Sequence, residues 1–344
     1  MIHRTPFEKD IAEQPAALRR LADSNHPELT SLDSSRYDRI VFTGMGSSDY
    51  AGVPSWRRLI ARGLPAWAVD TGQLLDNLDL VTPNTLLVAT SQSGASGEIV
   101  ALVEHISRRR IRPAKLIGIA DQQTSPLGAS ADLFLPLFSG PEATVSTKSY
   151  LNTLGVHRFL IAALLGEDGG DLKEELLRTA DTVQEIIDTI DVTAVAAIAA
   201  THPQRRLAYV GRGDEAATAQ FAGLITKESS KVPAEGFVGG QFRHGPFELA
   251  GDGHTAVIFG LTESNPNESL LRLSHDLIAA GSSVVIVGGH EIAGAVTVPV
   301  AGTSALESLA ASTVVAELFA VGLARANGVV PGEFLYGSKI TTAL

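Results

Sequence analysis

The stretch from Ile40 to Ser48, IVFTGMGSS, joins a short apolar run to a turn built on two glycines. An apolar run of this length followed by small residues is typical of a buried strand that enters a tight turn. The pattern returns in residues 207–214, LAYVGRGD, where the two glycines recur 167 positions later. A helical stretch follows each turn. The sequence therefore predicts two copies of a strand, turn and helix unit.

Two further pairs of predicted strands repeat at nearly the same offset. Residues 85–90 correspond to residues 254–259, and residues 116–120 correspond to residues 284–288. Three strands in one order at a nearly constant offset indicate a duplicated domain. Since helical stretches alternate with the strands, we predict an α/β fold in which each copy is a doubly wound, flavodoxin-like parallel sheet flanked by helices, without a bound nucleotide.

The same patterns divide the chain into segments. An amphipathic entry helix comes first, a helix-like stretch from Asp171 to Ala200 links the two copies, and a last helix ends near Gly328. The predicted segments are 1–32 (N-terminal helix and loop), 33–168 (first domain), 169–200 (linking helix), 201–328 (second domain) and 329–344 (C-terminal tail).

Composition narrows the class of partner. The 344 residues carry 27 basic and 38 acidic side chains, a net charge of −11, which disfavours a broad nucleic-acid or anionic-lipid surface but allows a local anion pocket. The absence of cysteine excludes disulfides, thiolate metal sites and a cysteine nucleophile within these residues. No signal-peptide core begins the sequence, and charged residues interrupt the aliphatic stretch 306–326. We expect a cytoplasmic protein that binds a small molecule and neither nucleic acid nor membrane.

The turn Ser91-Gln92-Ser93-Gly94-Ala95-Ser96 is the most specific candidate site. It opens a helix, whose unsatisfied amides and positive dipole end favour a phosphate. Ser93 or Ser96 acting only as a helix cap is the alternative. Further hydroxyls at comparable strand or loop exits, on Ser47, Ser48, Ser146 and Thr147, favour the phosphate. The corresponding residues 262–266 place a carboxylate and a proline there, so we expect only the first copy to hold the anion.

A dinucleotide site is a weaker alternative for the strand and glycine turn. Asp70 stands where a ribose-binding carboxylate would be expected. However, Asp49 and Ala216 replace the third glycine of the fingerprint in the two copies. This alternative would make the chain a dehydrogenase.

The second copy supplies candidates for acid and base chemistry. Glu228 follows Phe221 and Ile225 at helical spacing, which places it on an apolar face where burial would raise its pKa towards that of a general base. A surface glutamate paired with Lys231 is the alternative. A polar, glycine-rich passage then leads to His244, and such a loop resembles a site. The nine histidines show no metal-ligand spacing, and Lys339 by itself would be a solvated tail charge.

From about Arg36 to Leu344 the chain resembles the sugar isomerase (SIS) domain family. The likeness is to its tandem branch, which includes the isomerase half of glucosamine-6-phosphate synthases and related deaminases and deglycases. The residues that carry it are Gly46-Ser47-Ser48, Ser91-Gln92-Ser93-Gly94, Ser146-Thr147-Lys148, Lys227-Glu228 with Ala234-Glu235, Arg243-His244-Gly245-Pro246, and Ser338-Lys339.

The resemblance implies a role for each motif. Glu228 would move a proton between C1 and C2, His244 would open the sugar ring from the neighbouring subunit of a homodimer, and Lys339 would contact the open-chain sugar or form an imine with it. No cofactor or metal is implied. The sugar 6-phosphate would be bound by Ser47, Ser48, Ser91, Gln92, Ser93, Ser96 and Ser146.

Two departures from the synthases shape the functional hypothesis. No cysteine is present to attack glutamine, and Ile225 replaces a second family lysine three positions before the glutamate. We therefore expect an amino sugar phosphate isomerase or deaminase without glutaminase activity, with glucosamine 6-phosphate to fructose 6-phosphate plus ammonia as the first candidate reaction. The alternatives are a deglycase for fructosamine-type 6-phosphates and a phosphosugar sensor without turnover.

Overall fold

The computed structural model describes residues 4–24, 26–167, 169–262 and 267–343. Its residues divide into two compact units. The first unit contains residues 16–142 and 148–177 and the tail from Gly337 onwards. The second contains the residues up to Pro15, residues 143–147 and residues 178–336.

The first unit is built on a parallel sheet in the order β2-β1-β3-β4-β5. Its central strands β1, β3 and β4 are buried almost throughout, and all six residues of β3 are buried, as expected for a parallel sheet covered by helices on both faces. The strands are β1 Arg39–Thr43, β2 Ala66–Ala68, β3 Thr85–Thr90, β4 Lys115–Ala120 and β5 Leu133–Pro136; the helices of the first part of the chain are α1 Pro6–Ala22, α2 Ser47–Tyr50, α3 Val53–Ile60, α4 Thr71–Asp76, α5 Gly97–Ser107, α6 Pro126–Ser130 and α7 Lys148–Leu164.

The second unit contains a parallel sheet in the order β10-β9-β8-β6-β7. Read from the other edge, the order is β7-β6-β8-β9-β10, which corresponds strand by strand to the order of the first sheet. The strands β6, β8 and β9 therefore occupy the places of β1, β3 and β4. The strands are β6 Arg206–Gly211, β7 Ala234–Val238, β8 His254–Phe259, β9 Ser283–Val287 and β10 Val296–Val298; the remaining helices are α8 Leu172–Thr189, α9 Thr193–Thr201, α10 Glu215–Ser230, α11 Glu268–Ala279 and α12 Ala305–Ala326.

Two predicted elements differ in the structure. The stretch expected to be one linking helix forms α8 and α9, and Asp191 between them accepts a hydrogen bond from the Thr193 amide. Residues 234–238, expected to be loop, form the strand β7 beside β6. Parallel pairing with β6 overrides the low strand propensity of this glycine-containing segment.

Close approach of backbones explains why β7 contains glycine. A Cβ on Gly236 would lie 2.2 Å from the carbonyl oxygen of Ala219 in α10, and one on Gly223 would lie 2.7 Å from the Gly236 amide nitrogen. Both positions need glycine for the helix to pack on the strand. The sequence pattern shows the two glycines but not that they face each other.

The helix α12, Ala305–Ala326, lies where the last helix of the sequence was predicted. Ser304 caps it by accepting a hydrogen bond from the Glu307 amide, and Gly328 follows with a φ of +71°. By length and hydropathy α12 is apolar enough to cross a membrane, but 83% of its most apolar window is buried inside the structure. It is placed as a core helix.

Candidate functional site

The strand order of the first sheet creates a crevice at its carboxyl edge. β1 and β3 are neighbours in the sheet. The chain continues from β1 to β2 at one edge of the sheet, and from β3 to β4 in the direction of the other edge. Ligands of open α/β sheets bind beyond the carboxyl ends of the strands at this kind of reversal. The turns that follow β1, β3, β4 and β5 all meet at this edge.

The turn after β1 packs directly against the end of β3. A Cβ on Gly44 would lie 3.0 Å from the carbonyl oxygen of Thr90, and Gly46 has a φ of +54°. Ser47 and Ser48 are half-buried in the first turn of α2. Burial, with the negative charge of Asp70, raises the pKa of the neighbouring Asp49 carboxyl to about 6.

The serine turn after β3 has fewer open amides than we expect from the sequence. The Gly94 amide donates to the main-chain and side-chain oxygens of Ser91, and the Ala95 amide donates to Ser93 Oγ. The Gly97 amide, at the start of α5, donates to the carbonyl oxygen of Thr341 at 3.0 Å. Ser96 occupies the N-cap position without a capping side-chain hydrogen bond. Binding of an anion here would therefore depend on side chains more than on these three amides.

A cavity of about 680 Å³ lies beside this turn within the first unit. Gln92 and Ser93 line it, together with Lys339 from the tail. Of the residues predicted to bind substrate in this unit, Ser47, Ser48, Ser91 and Ser96 are absent from the described lining. The cavity is lined further by Arg20, Asp121, Gln122, Pro136, Phe138, Gly140, Pro141, Glu142 and Ile340.

Lys339 is held in this cavity by a buried carboxylate. Its Nζ lies 2.6 Å from Glu142 Oε2, and the Glu142 side chain has no exposed surface. The amide and the hydroxyl of Ser149 also donate to this carboxylate, at 3.0 and 2.6 Å. Burial by itself would raise the pKa of Glu142, but the Lys339 ammonium and the Ser149 hydrogen bonds bring it below its ordinary value.

A second acid in the cavity, Asp121, follows β4 directly. It accepts hydrogen bonds from Gln92 Nε2 and Ser139 Oγ, both at 2.7 Å. Burial raises the pKa of Asp121 against these hydrogen bonds, and the charge of Glu142 adds to the rise. Asp121 therefore connects the serine turn to the loop after β5.

The Ser146-Thr147-Lys148 motif is divided between the two units. Ser146 is half-buried and belongs to the second unit, whereas Lys148 is 1% exposed and begins α7 of the first. Lys148 Nζ donates to the Pro141 carbonyl oxygen at 2.6 Å. This bond fixes one end of the loop that carries Glu142.

Glu228 lies in the last turn of α10 in the second unit. Ile225 on the same helix is completely buried, but Glu228 is only half-buried, so the predicted burial is partial. Lys231 ends the helix with a φ of +59° and donates through Nζ to the main-chain carbonyl of Glu228. Burial lowers the pKa of Lys231, and the charge of Glu228 acts in the opposite direction. Lys231 therefore bonds the main chain of Glu228, and this contact does not decide between a catalytic and a paired surface carboxylate.

His244 lies at the end of a short 3-10 turn, residues 239–243, in the second unit. Its side chain is exposed, and within the described residues the imidazole makes no hydrogen bond or ion pair. Next to it, Arg243 pairs with Asp276 at 2.6 Å. The histidine is therefore accessible from solvent.

The dinucleotide alternative finds little support. The Asp70 side chain accepts a hydrogen bond from the Gln73 amide at 3.0 Å and caps α4. The half-buried, acidic Asp49 occupies the place of the third fingerprint glycine. Of the second-copy residues 262–266, which we expect to disfavour an anion, 263–266 lie outside the described residues.

Within the described ranges no three His, Asp or Glu side chains are grouped to hold a metal.

Sequence reasoning missed Asp121 and Glu142. The rule that strand ends carry functional side chains would have found Asp121, which comes directly after β4. Nothing local marks Glu142, since it lies in an irregular loop and its partner Lys339 is 197 residues away.

Comparison with known proteins gives two kinds of match. Residues 34–163 match the family model of the SIS domain. Over 293 residues, 81% of this chain, the sequence is 28% identical to the isomerizing glutamine–fructose-6-phosphate aminotransferase of Staphylococcus aureus strain Mu50, of which it covers 48%. The chain spans about half the length of the curated relatives it matches.

Solved structures share the fold at low sequence identity. The C-terminal domain of glucosamine-fructose-6-phosphate aminotransferase from Francisella tularensis aligns with a TM-score of 0.82 at 17% identity, covering 96% of this chain and 98% of that one. Glucosamine-6-phosphate deaminase from Thermotoga maritima aligns with a TM-score of 0.74 at 20% identity, covering 98% and 99%. At these identities the similarity establishes the fold alone.

Proposed function

We propose that this chain is a phosphosugar enzyme acting on an amino sugar 6-phosphate, since residues 34–163 match the family model of the SIS domain. The first candidate reaction takes glucosamine 6-phosphate and water to fructose 6-phosphate and ammonia. It requires an anion anchor, a base that moves one proton between adjacent carbons, and an acid or base that opens the ring. No cofactor is required.

The observation that carries this proposal is the cavity at the carboxyl edge of the first sheet. Its volume of about 680 Å³ can hold a hexose phosphate, and Gln92, Ser93 and Lys339 bring hydrogen-bond donors and a positive charge to it. Ser93 Oγ accepts from the Ala95 amide, so its hydroxyl hydrogen can be donated to a ligand oxygen. We propose that the phosphate binds at this end, with Ser47, Ser48, Ser91, Ser96 and Ser146 contributing.

The remaining roles are assigned to three residues. In this proposal Glu228 is the base that shuttles the proton between C1 and C2, and His244 opens the ring. Lys339 contacts the open-chain carbonyl or forms an imine with it. The Lys339 ammonium forms an ion pair with the Glu142 carboxylate at 2.6 Å, so we favour contact through the charged ammonium.

The names of similar proteins are consistent with this substrate class. The aminotransferase of Staphylococcus aureus is named for fructose 6-phosphate, and the deaminase of Thermotoga maritima for glucosamine 6-phosphate. The 344 residues contain no cysteine, so a cysteine that attacks glutamine is not among them. We therefore propose ammonia release without glutaminase activity.

A coupled assay on the purified chain tests the proposal. Ammonia and fructose 6-phosphate should appear together from glucosamine 6-phosphate. Faster turnover of a fructosamine-type 6-phosphate would identify a deglycase instead. Saturable binding of both sugars without any product would identify a sensor.

We propose further that the active enzyme is a homodimer, in which His244 serves the site of the neighbouring copy. Support comes from the exposed imidazole of His244, which has no hydrogen-bond or ion-pair partner within the described chain. Mixing inactive Glu228→Gln and His244→Ala subunits tests this arrangement. In the mixed dimer one of the two sites keeps both residues, so about a quarter of the activity should return. No recovery after verified subunit exchange would place His244 in its own subunit's site or outside the reaction.

A further inference from the structure

A second cavity, of about 270 Å³, lies within the second unit at the amino-terminal edge of its sheet. It is lined by the residues that begin three neighbouring strands, Arg206 of β6, Ala234 of β7 and His254 of β8. In open parallel sheets the substrate crevice lies at the carboxyl ends of the strands. This cavity is therefore not the crevice that the fold provides for a substrate of this sheet.

Positive charge dominates the lining of this cavity. Arg205, Arg206 and Lys227 face a single carboxylate, that of Glu235. Arg205 donates to the carbonyl oxygen of Ala200 and to Asn327 Oδ1, and Arg206 donates to the carbonyl oxygen of Asp252.

These acceptors are neutral. In the part of the chain that the structure describes, Arg205, Arg206 and Lys227 take part in no ion pair. Three cations against one carboxylate in one pocket are notable in a chain of net charge −11, where carboxylates are more abundant than cations. The local field attracts an anion.

Buried polar atoms in the lining lack partners. His254 is 1% exposed, and its Nδ1 lies 3.0 Å from Ser282 Oγ. Its Nε2, and the Nε of Arg206, are buried without a hydrogen-bond partner among the described residues. Each such atom costs about 1–3 kcal/mol when left unsatisfied, so a polar ligand that pairs with both atoms would be favoured at this pocket.

His254 and Arg206 are adjacent by the register of the sheet. They are directly paired residues of β8 and β6, so their side chains leave the sheet on the same face. Burial, and the charge of Arg206, lower the pKa of His254 to about 4. The imidazole is therefore neutral near pH 7 and adds one hydrogen-bond donor or acceptor without adding charge.

The rest of the lining is apolar. Leu207, Pro233, Phe237 and Leu249 surround the cations, and Leu249 is 46% exposed at its rim. The volume is slightly below the range of about 300–1,000 Å³ that is typical of drug-sized ligands. A ligand of this size would combine one oxyanion with a small apolar body.

We propose that this cavity is a binding site for a small organic oxyanion, a carboxylate or a phosphate monoester, held by Arg206, Lys227 and His254 with its apolar part against Phe237 and Leu249. The site is separate from the proposed substrate cavity, which lies in the first unit. Lys227 directly precedes Glu228 on α10, so a bound anion would contact the helix turn that carries the proposed base.

Isothermal titration of the full chain with phenyl phosphate and with benzoate tests the site. We expect at least one probe to bind in the millimolar range or better, and the stronger of the two to identify the oxyanion. Arg206→Gln should weaken that binding at least about tenfold. Arg112→Gln removes the same charge from an exposed position in the first unit and should leave binding of the probe unchanged.

Two controls keep the result interpretable. Lys227→Gln, at an exposed position, replaces Arg206→Gln if the latter fails to fold, with the same weakening expected. Ser93→Ala reports on the cavity of the first unit and should leave probe binding intact. No binding of either probe to the native chain would overturn the proposal. The proposal would also be overturned if Ser93→Ala abolished probe binding while the Arg206 and Lys227 variants left it unchanged. Since the readout is binding, it stands independently of whether the chain turns over an amino sugar phosphate.

Discussion

The ammonium of Lys339 and the carboxylate of Glu142 lie 2.6 Å apart, although 197 residues separate them in the chain. The contact ties the C-terminal tail to the loop after β5. A second contact, between the Gly97 amide and the Thr341 carbonyl, places the tail at the start of α5, where carbonyl oxygens complement the positive end of the helix dipole. The tail is therefore part of the first unit and of the proposed substrate cavity.

Glu142→Gln should destabilise the first unit and loosen the tail. The substitution leaves the Lys339 ammonium without its carboxylate, at a cost of about 2 kcal/mol, below the usual cost for a buried pair because Lys339 can turn towards water. Urea unfolding and the rate of carboxypeptidase cleavage measure the two effects. Glu104→Gln, which removes the exposed pair with Arg108, should cost less than about 0.5 kcal/mol. Equal costs for the two substitutions would contradict the structural role of the buried pair.

Lys339→Arg should separate charge from covalent chemistry. Arginine keeps the positive charge beside Glu142, so the unfolding free energy should stay within about 1 kcal/mol of the native value. If Lys339 acts only through its charge, as we favour, turnover should remain within about tenfold. A stable variant with no turnover would contradict this and support an imine, which arginine cannot form.

Ser93→Ala should weaken phosphosugar binding. Loss of one hydroxyl donor to a charged phosphate oxygen corresponds to about 1.5–3 kcal/mol, or roughly tenfold to a hundredfold in Kd. Titration with a sugar 6-phosphate measures it, and Ser107→Ala, at the exposed end of α5, is the matched control. Unchanged affinity in Ser93→Ala would move the phosphate to another part of the crevice.

Glu228→Gln should abolish turnover while sparing affinity. A general base contributes about a hundredfold or more to the rate, whereas substrate binding should change by less than about tenfold. Steady-state kinetics together with direct binding separate the two quantities. Glu185→Gln, an exposed glutamate of α8, should change neither. A parallel loss of binding and turnover would instead make Glu228 a structural partner of Lys231.

Glu215→Gln should change how stability depends on pH. Burial raises the pKa of Glu215 to about 7, against an opposing hydrogen bond from Ser312 Oγ at 2.9 Å. The folded state then binds a proton that the unfolded state releases, so this group destabilises the protein progressively as pH rises from its ordinary pKa to about 7. From about pH 5 to about pH 8 the native chain should lose up to about 3 kcal/mol relative to Glu215→Gln.

Urea unfolding of both proteins at a series of pH values measures this difference. Glu185→Gln should follow the native chain at every pH, since its carboxylate is exposed. A constant difference between Glu215→Gln and the native chain across the series would show that Glu215 does not titrate in this range.

Much of the fold could be predicted because its signals are local. The apolar runs at β1, β3, β4, β6, β8 and β9 and the end of α12 near Gly328 were identified from neighbouring residues. β7 was not, because its strand character comes from pairing with β6 and from the packing of Gly236 on α10. Neither contact can be recognised from the hydrophobic pattern of residues 234–238.

The candidate site could likewise be predicted from the sequence only in part. The turn at Gln92 and Ser93 was predicted from the hydroxyls at a helix start, and Lys339 only from the family resemblance. That the Gly97 amide at the start of α5 is occupied could not have been recognised, since its acceptor, Thr341, comes from the far end of the chain.

The sequence by itself determined the two strand, turn and helix repeats, because side-chain periodicity and the conformational freedom of glycine act between residues a few positions apart. Only the tertiary structure decided which charges meet. It buries Glu142 against Lys339 and leaves Arg206 without an ion pair among the described residues, because electrostatic interactions depend on distance through space and burial, whatever the separation along the chain.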